Sequence, residues 1–126
     1  MDFSQCACSG KTLGRLLRPA IMAVLRDEPV HGYLVAQRLG QMSAFRDQPP
    51  DSAGLYRLLK AMETEGLVVS SWDLADSGPA RRRFELTADG RACLARWVRT
   101  LRDYRAAIDE LLAAVTGLAG SGRVSP

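Results

Sequence analysis

Apolar residues recur at the spacing of a helix in two segments near the beginning of the chain. The first predicts a helix over about residues 15–27, which the turn sequence Asp27-Glu28-Pro29 ends. A second, shorter helix is predicted after His31-Gly32-Tyr33, and it ends between Gly40 and Ser43. Two short helices, closely connected, therefore open the ordered part of the chain.

A third helix is predicted after Pro49-Pro50, because prolines cannot continue a helix that comes before them. Asp51 or Ser52 can accept the free N–H groups of its first turn, and Gly66 ends it. The side chains expected in the core are Leu55, Leu58, Leu59 and Met62. This helix is the one best capped at both ends.

The residues after the third helix change to a strand pattern. Residues 67–72 are rich in β-formers, residues 76–79 form a turn cluster, and Arg82, Phe84 and Leu86 alternate with Arg83, Glu85 and Thr87. This pattern predicts a two-stranded hairpin whose returning strand is basic.

A long last helix is predicted after Thr87, which is a good N-cap residue. Its apolar residues step by alternating threes and fours: Leu94, Trp97, Leu101, Tyr104, Ile108, Leu111, Val115 and Leu118. This spacing is the heptad pattern of a coiled coil. No other predicted helix of the chain has a similar length, so we expect the same helix of a second subunit as its partner.

These elements predict a mainly α protein with a small β-hairpin, namely a winged helix-turn-helix with a long C-terminal dimerisation helix. The predicted organisation has four parts. An irregular cysteine-containing arm at 1–12 precedes a DNA-binding winged helix-turn-helix domain at 13–87. A dimerisation helix at 88–119 and a flexible tail at 120–126 follow.

Composition excludes several classes of protein. The 126 residues carry a formal net charge of +3 and contain no run of eighteen apolar residues. The first residues lack the layout of a secretory signal, so we expect a cytoplasmic protein that does not contact the membrane. Paired carboxylates, a phosphate-binding glycine loop and a Ser/His/Asp set are all missing at useful spacing, so we expect no enzyme.

The outer face of the third helix is the first candidate site. Its predicted exposed residues are Ser52, Ala53, Tyr56, Arg57 and Lys60. Ser52 and Arg57 could contact base edges in the major groove of double-stranded DNA, whereas Tyr56 and Lys60 suit phosphates. The alternative is an ordinary solvated helix face with one tyrosine covering the core.

The run Arg81-Arg82-Arg83 is the second candidate site. It directly follows the hairpin turn, where a wing would meet a phosphate backbone or the minor groove. Charge runs are more often simply solvated, but this position favours DNA.

Five groups of motifs, in this order, resemble the PadR family of bacterial repressors, named for the regulator of phenolic acid decarboxylase. They are Arg18-Pro19-Ala20-Ile21 through Leu25, Pro29-Val30-His31-Gly32-Tyr33, Leu55-Tyr56-Arg57-Leu58-Leu59, Glu65-Gly66-Leu67-Val68, and Ser77-Gly78-Pro79-Ala80-Arg81-Arg82 with Leu86-Thr87-Ala88-Asp89-Gly90. The resemblance extends from about Leu16 to Val115.

The resemblance implies a winged-helix dimer and a repressor of transcription. By this resemblance, the helix that contains Tyr56 is expected in the major groove, and the hairpin around Gly78 is expected to be the wing. Tyr33, Tyr56 and the basic wing residues are then expected to meet operator DNA. The sequence departs from the family at Gly54, where a small hydroxyl residue is usual, and at Arg83, where an aromatic residue is common.

The three cysteines are not explained by the resemblance. Cys6 and Cys8 lie in the arm, and together with Cys93 they could form a thiol sensor for an oxidant or a soft metal ion that releases the repressor. Cys-x-Cys alone is a weak motif, and exposed reduced thiols are the ordinary interpretation, so no cofactor is firmly predicted. His31 is the single histidine, for which we expect a structural role at the start of the second helix.

Two further interpretations remain open at this point. A small aromatic effector could bind between the dimer helices beside Trp97 and Tyr104, although core packing explains aromatics at this spacing equally well. The fold could also serve as a winged-helix protein-interaction adaptor without specific DNA binding, because fold alone does not fix function. An exposed apolar patch would favour the adaptor.

Overall fold

A computed structural model describes residues 1–73 and 81–117 of the chain. The chain forms two compact units, residues 1–94 and residues 95–126. The predicted turn at 76–79 and the predicted tail at 120–126 lie outside the described residues, as does Leu118 of the heptad pattern.

The N-terminal segment is more ordered than the predicted irregular arm. Short 3₁₀ turns at Ala7–Ser9 and Lys11–Leu16 precede helix α1 at Leu17–Val24. The predicted helix at 15–27 is therefore divided, and its α-helical part is shorter. Pro19 lies in the first turn of α1, where its missing N–H group leaves no hydrogen bond unmade.

Helices α2 at Gly32–Gly40 and α3 at Ser52–Thr64 follow, as the sequence predicts. Asp51 is the N-cap of α3, because its carboxylate accepts the Gly54 N–H group at 2.5 Å. The chain leaves α3 through Gly66, whose φ of +83° lies in the left-handed region that favours glycine.

A three-stranded antiparallel sheet packs beside these helices. Strands β1 at Val30–His31, β2 at Val68–Asp73 and β3 at Arg81–Leu86 lie in the order β1-β3-β2. Strand β1 pairs Val30 with Phe84 and His31 with Arg83. The sequence did not predict β1, because two residues are too few to display an alternating pattern.

The core lies among the three helices and the inner face of the sheet. Its most buried side chains are apolar and come from α1 and the residue after it, from α2 and α3, and from β2 and β3: Ile21, Met22, Leu25, Val35, Leu39, Leu55, Leu59, Met62, Val68 and Phe84. Along β3, Phe84 and Leu86 are buried, so Arg82 shares their face, whereas Arg83 and Glu85 point to the opposite face.

Helix α4 spans Ala88–Thr116, and Thr87 caps it. The Thr87 hydroxyl accepts the Gly90 N–H group at 2.9 Å and donates to the Gly66 carbonyl at 2.6 Å. Helix α4 therefore begins tied to the turn that ends α3. The described residues confirm the predicted class: a mainly helical winged helix-turn-helix with a small sheet and a long C-terminal helix.

Candidate nucleic-acid interface

Helix α3 presents one face to the core and the other to solvent. Leu55, Leu59 and Met62 are fully buried. The candidate DNA-contacting side chains Ser52, Ala53, Tyr56, Arg57 and Lys60 are all exposed. They recur at the spacing of one helix face, so this surface is continuous.

Tyr56 stands at the centre of this surface, and its ring is held on two sides. The Phe84 ring lies against it at 6.4 Å between centroids, tilted by 57°. On the other side the ring approaches Gly32, where a Cβ atom would lie only 2.7 Å from the tyrosine Cζ atom. Because no residue but glycine leaves this space, α2 and β3 together fix the ring.

Arg57 and Lys60 are available cations. Neither side chain makes a hydrogen bond or ion pair with another described residue. With Tyr56 they line a groove of about 290 Å³ that also includes Ala53, Arg82 and Phe84. An aromatic floor and a cationic rim suit a phosphate-bearing partner.

Tyr33 and Arg81 form a pair between α2 and β3. The Arg81 Nη1 group donates to the Tyr33 hydroxyl at 2.9 Å, and the guanidinium carbon lies 4.9 Å from the centre of the ring. The His31 ring stacks on Tyr33 with 5.9 Å between centroids. Both Tyr33 and Arg81 remain exposed, so their polar ends are accessible to a ligand.

Asp73, at the end of β2, contacts the side chains of both His31 and Arg83. Its Oδ2 atom lies 2.7 Å from His31 Nε2 and accepts a short hydrogen bond from Arg83 Nη2. The hydrogen bonds from Arg83 and from His31 lower the pKa of the Asp73 carboxyl below its ordinary value. His31 therefore links β1 to β2 across β3, in addition to its position at the start of α2.

Arg82 differs from its two neighbours because its side chain points to the inner face of the sheet. Its Nε group donates to Ser70 Oγ at 3.0 Å, and its Nη2 group donates to Glu63 Oε1 at 2.9 Å. The three arginines thus do not form one surface. Sequence reasoning missed Glu63, Ser70 and Asp73, although the alternation along β3 already puts Arg82 on the face of Phe84.

Cys6 and Cys8 are exposed, and Cys93 is half-buried. The Cys8 N–H group donates to Cys6 Sγ at 3.4 Å, and this hydrogen bond lowers the pKa of the Cys6 thiol. No group of three or more potential metal ligands occurs among the described residues. The predicted three-thiolate site is therefore without support in the single chain.

The candidate dimer residues lie along α4. Leu94 and Trp97 are half-buried, while the remaining described positions of the heptad are exposed: Leu101, Tyr104, Ile108, Leu111 and Val115. Of the helices that the structure describes, none is long and apolar enough to cross a membrane.

Comparison with solved structures supports this fold. A candidate transcriptional regulator from Thermoplasma acidophilum is 26% identical, with 82% of this chain and 96% of that chain covered and a TM-score of 0.70. A PadR-like transcriptional regulator from Bacillus cereus is 22% identical, with 81% and 96% covered and a TM-score of 0.69.

A third similar structure is that of Bacillus subtilis PadR in complex with operator DNA. It is 21% identical, with 67% of this chain and 46% of that chain covered and a TM-score of 0.59. At this identity the likeness shows a shared fold. A search among curated proteins gives no significant match.

The family assignment rests on the sequence itself. The model of the transcriptional regulator PadR-like family matches residues 21–96, which is more than half of the chain. The matched range includes α2, α3 and all three strands, together with every candidate DNA-contacting residue. This chain belongs to the PadR-like family of transcriptional regulators.

Proposed function

We propose that this protein is a sequence-specific regulator that binds double-stranded operator DNA and catalyses no reaction. The observation that carries the proposal is the exposed face of α3, where Arg57 and Lys60 have no ion-pair partner among the described residues. The similar fold of Bacillus subtilis PadR, which was solved in complex with operator DNA, supports DNA as the partner.

Helix α3 would lie in the major groove, which is about 12 Å wide and admits a helix. Ser52 and Arg57 would contact base edges, and Tyr56 and Lys60 would contact phosphates. Ala53, at the beginning of the helix, would lie against the bases without a hydrogen bond. The exposed positions occupy the first turns of α3, which suits entry by its N-terminal end.

The sheet would contact the DNA backbone beside the groove. Tyr33 and Arg81 would do so directly, because their shared hydrogen bond leaves both exposed. Arg82 and Arg83 are also candidate contacts from the sequence. Each already donates to an acidic side chain, so each would have to share or exchange that partner on binding DNA.

The protein would act as a homodimer through α4. In the single chain the exposed fractions of its apolar positions run from 37% at Leu101 to 76% at Val115. A contiguous apolar surface of this kind marks an interaction site. Its heptad spacing suits a second copy of the same helix, with Leu94 and Trp97 at the beginning of the interface.

We further propose that the protein represses transcription in the cytoplasm and that a signal releases it from DNA. Repression rests on the resemblance to the family. A small aromatic effector would bind beside Trp97 and Tyr104 in the dimer. The alternative signal is a thiol sensor, for which we retain only the Cys6–Cys8 pair. The lowered pKa of the Cys6 thiol favours its reactive thiolate form. DNA titrations with phenolic acids, with peroxide and with a Cys6→Ser, Cys8→Ser variant would separate these signals.

The test of DNA binding is a titration of the protein against the duplex upstream of its own gene and against an unrelated duplex. If each subunit neutralises phosphates through Lys60 and Arg81, the dimer neutralises about four phosphates, and affinity falls about a hundredfold between 50 and 200 mM salt. Lys60→Ala should reduce the salt slope by about two units, one contact per subunit.

Arg99→Ala is the matched control, because Arg99 is exposed on α4 and lies away from the heptad positions. It should leave both affinity and slope unchanged. Equal affinity for the two duplexes at every salt concentration would contradict the proposal and would favour a protein-interaction adaptor.

A further inference from the structure

The middle arginine of the basic run occupies a closed network of side chains. Glu63 Oε2 accepts the Ser70 hydroxyl at 2.7 Å and the Ser70 N–H group at 3.2 Å. Glu63 Oε1 accepts from Arg82 Nη2, and the Ser70 hydroxyl accepts from Arg82 Nε. Both carboxylate oxygens and the hydroxyl are therefore occupied within the network.

The three members come from three successive elements. Glu63 lies in the last turns of α3, Ser70 in β2 and Arg82 in β3. The planar guanidinium donates from two adjacent N–H groups of one edge, Nε and Nη2, to two different partners, which fixes its orientation as well as its position. The network therefore sets the placement of the hairpin strands against the helix that carries the candidate reading face.

A chain of contacts leads from this network to that face. The Arg82 guanidinium carbon lies 5.5 Å from the centre of the Phe84 ring and 5.8 Å from that of Trp72. The Phe84 ring in turn contacts Tyr56. Arg82 and Phe84 also line the groove that Arg57 and Lys60 border.

We infer that Glu63, Ser70 and Arg82 are positioning residues that set the specificity of DNA binding by fixing the hairpin strands and the Tyr56 ring relative to α3. The inference rests on the proposed function. The side chains of Arg82 and Glu63 are 36% and 28% exposed, so water partly screens the ion pair and limits its contribution to stability. The main consequence of the network is then the placement of the three elements that it joins.

The inference differs from direct phosphate contact in ways that can be measured. A phosphate contact needs only a positive charge, so Arg82→Lys would preserve it, and Glu63→Gln would strengthen it by freeing the arginine. A positioning role needs the paired donors of one guanidinium edge together with the carboxylate. Arg82→Lys and Glu63→Gln should then both reduce the specificity of DNA binding, because each removes one side of the same network.

The experiment measures the ratio of affinities for the upstream and unrelated duplexes in the wild type, Arg82→Lys, Glu63→Gln and the double variant, at several salt concentrations. We expect each single variant to reduce the ratio about tenfold and the double variant to reduce it no further. The salt slope should stay within one unit of the wild type. Lys60→Ala provides the contrast, with a reduced slope.

A second measurement needs no DNA. The protein has two tryptophans, so its NMR spectrum shows two indole N–H signals. Arg82→Lys should shift the Trp72 signal, which is next to Arg82, and leave that of Trp97 unchanged. Thermal unfolding of the variants controls for a general loss of structure.

A wild-type ratio in Arg82→Lys, or tighter binding with a steeper salt slope in Glu63→Gln, would overturn the inference and make Arg82 a phosphate contact. An unshifted Trp72 signal would also overturn it. Those outcomes leave the proposed function intact, whereas a wild type that does not distinguish the two duplexes would overturn both.

Discussion

The position of one side chain on the candidate DNA-binding face depends on the absence of a side chain at a neighbouring residue. The Tyr56 ring can lie against the start of α2 only because Gly32 has no side chain. Gly32 is buried although it contacts no ligand in our proposal, so its contribution to DNA binding is indirect. The position of one reading side chain thus depends on a glycine 24 residues earlier in the chain.

Gly32→Ala should therefore impair DNA binding more than folding. The added methyl group would push the Tyr56 ring, which is 41% exposed, towards solvent, and the nearest atoms that it would meet belong to that side chain and not to the backbone, so we expect the free energy of unfolding to change by less than about 1 kcal/mol. Operator affinity should fall about tenfold, as measured by titration.

The control for this prediction uses a second variant of the same contact. In a Tyr56→Ala background, Gly32→Ala should have no further effect on affinity, because the two positions act through one ring. Additive losses would show that Gly32 acts by another route.

Asp73 is the second residue whose contacts have a measurable consequence. Its pKa is lowered in the folded protein, first by the hydrogen bond from Arg83 and then by that from His31. A group of this kind stabilises the fold above its ordinary pKa, and that contribution is lost as the pH falls through the lowered value.

Asp73→Asn should accordingly unfold at a lower temperature than the wild type at neutral pH. The difference should persist down to about pH 4 and shrink below it, where the wild-type carboxyl becomes protonated. Thermal unfolding from pH 7 to pH 2.5 measures this. Asp47→Asn, an exposed carboxylate in the α2–α3 connection, should match the wild type throughout, and a constant gap down to pH 2.5 would contradict the expectation.

Between elements, one close approach is where β3 passes into α4. Gly90 is buried, and a Cβ atom there would overlap the carbonyl oxygen of Leu67 and lie 3.1 Å from its carbonyl carbon. Thr87 makes the remaining contacts, as its N–H group donates to the Leu67 carbonyl at 3.1 Å. The beginning of α4 is thus seated directly on the turn after α3.

Gly90→Ala should destabilise the protein, because the added methyl group would meet the Leu67 carbonyl group, which is backbone and cannot rotate away as a side chain can. We expect a loss of roughly 1–3 kcal/mol in the free energy of unfolding, measured with urea. Gly40→Ala, at the end of α2 with open space around its Cα atom, should be neutral or slightly stabilising. Equal effects of the two substitutions would show that close packing at Gly90 is unimportant.

The elements themselves were largely predictable from the sequence. Helices α2, α3 and α4 and the hairpin strands follow from periodicity and capping residues such as Asp51 and Thr87. Pro19 already allows a separate turn before the main first helix, but the pattern of leucines continues unbroken from the 3₁₀ turn into α1 and does not mark where the division lies. Strand β1 and the partners of Arg82 depend on which residues meet in space, and local patterns do not contain that information.

On the scale of the whole molecule, the apolar side of α4 is left exposed in the single chain. The exposed fractions of Ile108 and Leu111 are 59% and 62%. Water contact over such an area is costly, at about 25 cal/mol per Å² of apolar surface. Association with a second copy would remove that cost, and it would also bring two α3 faces to one DNA duplex.

Ile108→Glu should dissociate the dimer, because a carboxylate in an apolar interface would be buried without a partner. We expect the dissociation constant to rise at least about a hundredfold, measured by sedimentation from a starting mass of two 13.7 kDa chains. Ala106→Glu adds the same charge to the same helix away from the heptad positions and should remain dimeric. A monomeric wild type, or a dimeric Ile108→Glu, would refute the α4 interface.

The alternation of Arg81, Arg82 and Arg83 between the two faces of β3 also limits how this lineage can evolve. Inserting one residue between Arg82 and Phe84 would exchange the faces, aiming Arg82 at Asp73 and turning a neighbour toward Glu63. Single insertions and deletions inside β3 should therefore be selected against. Substitutions leave each residue on its own face of the sheet and should accumulate. Among descendants of this protein, regulators can acquire new operators by changing side chains on α3, but not by changing the length of β3.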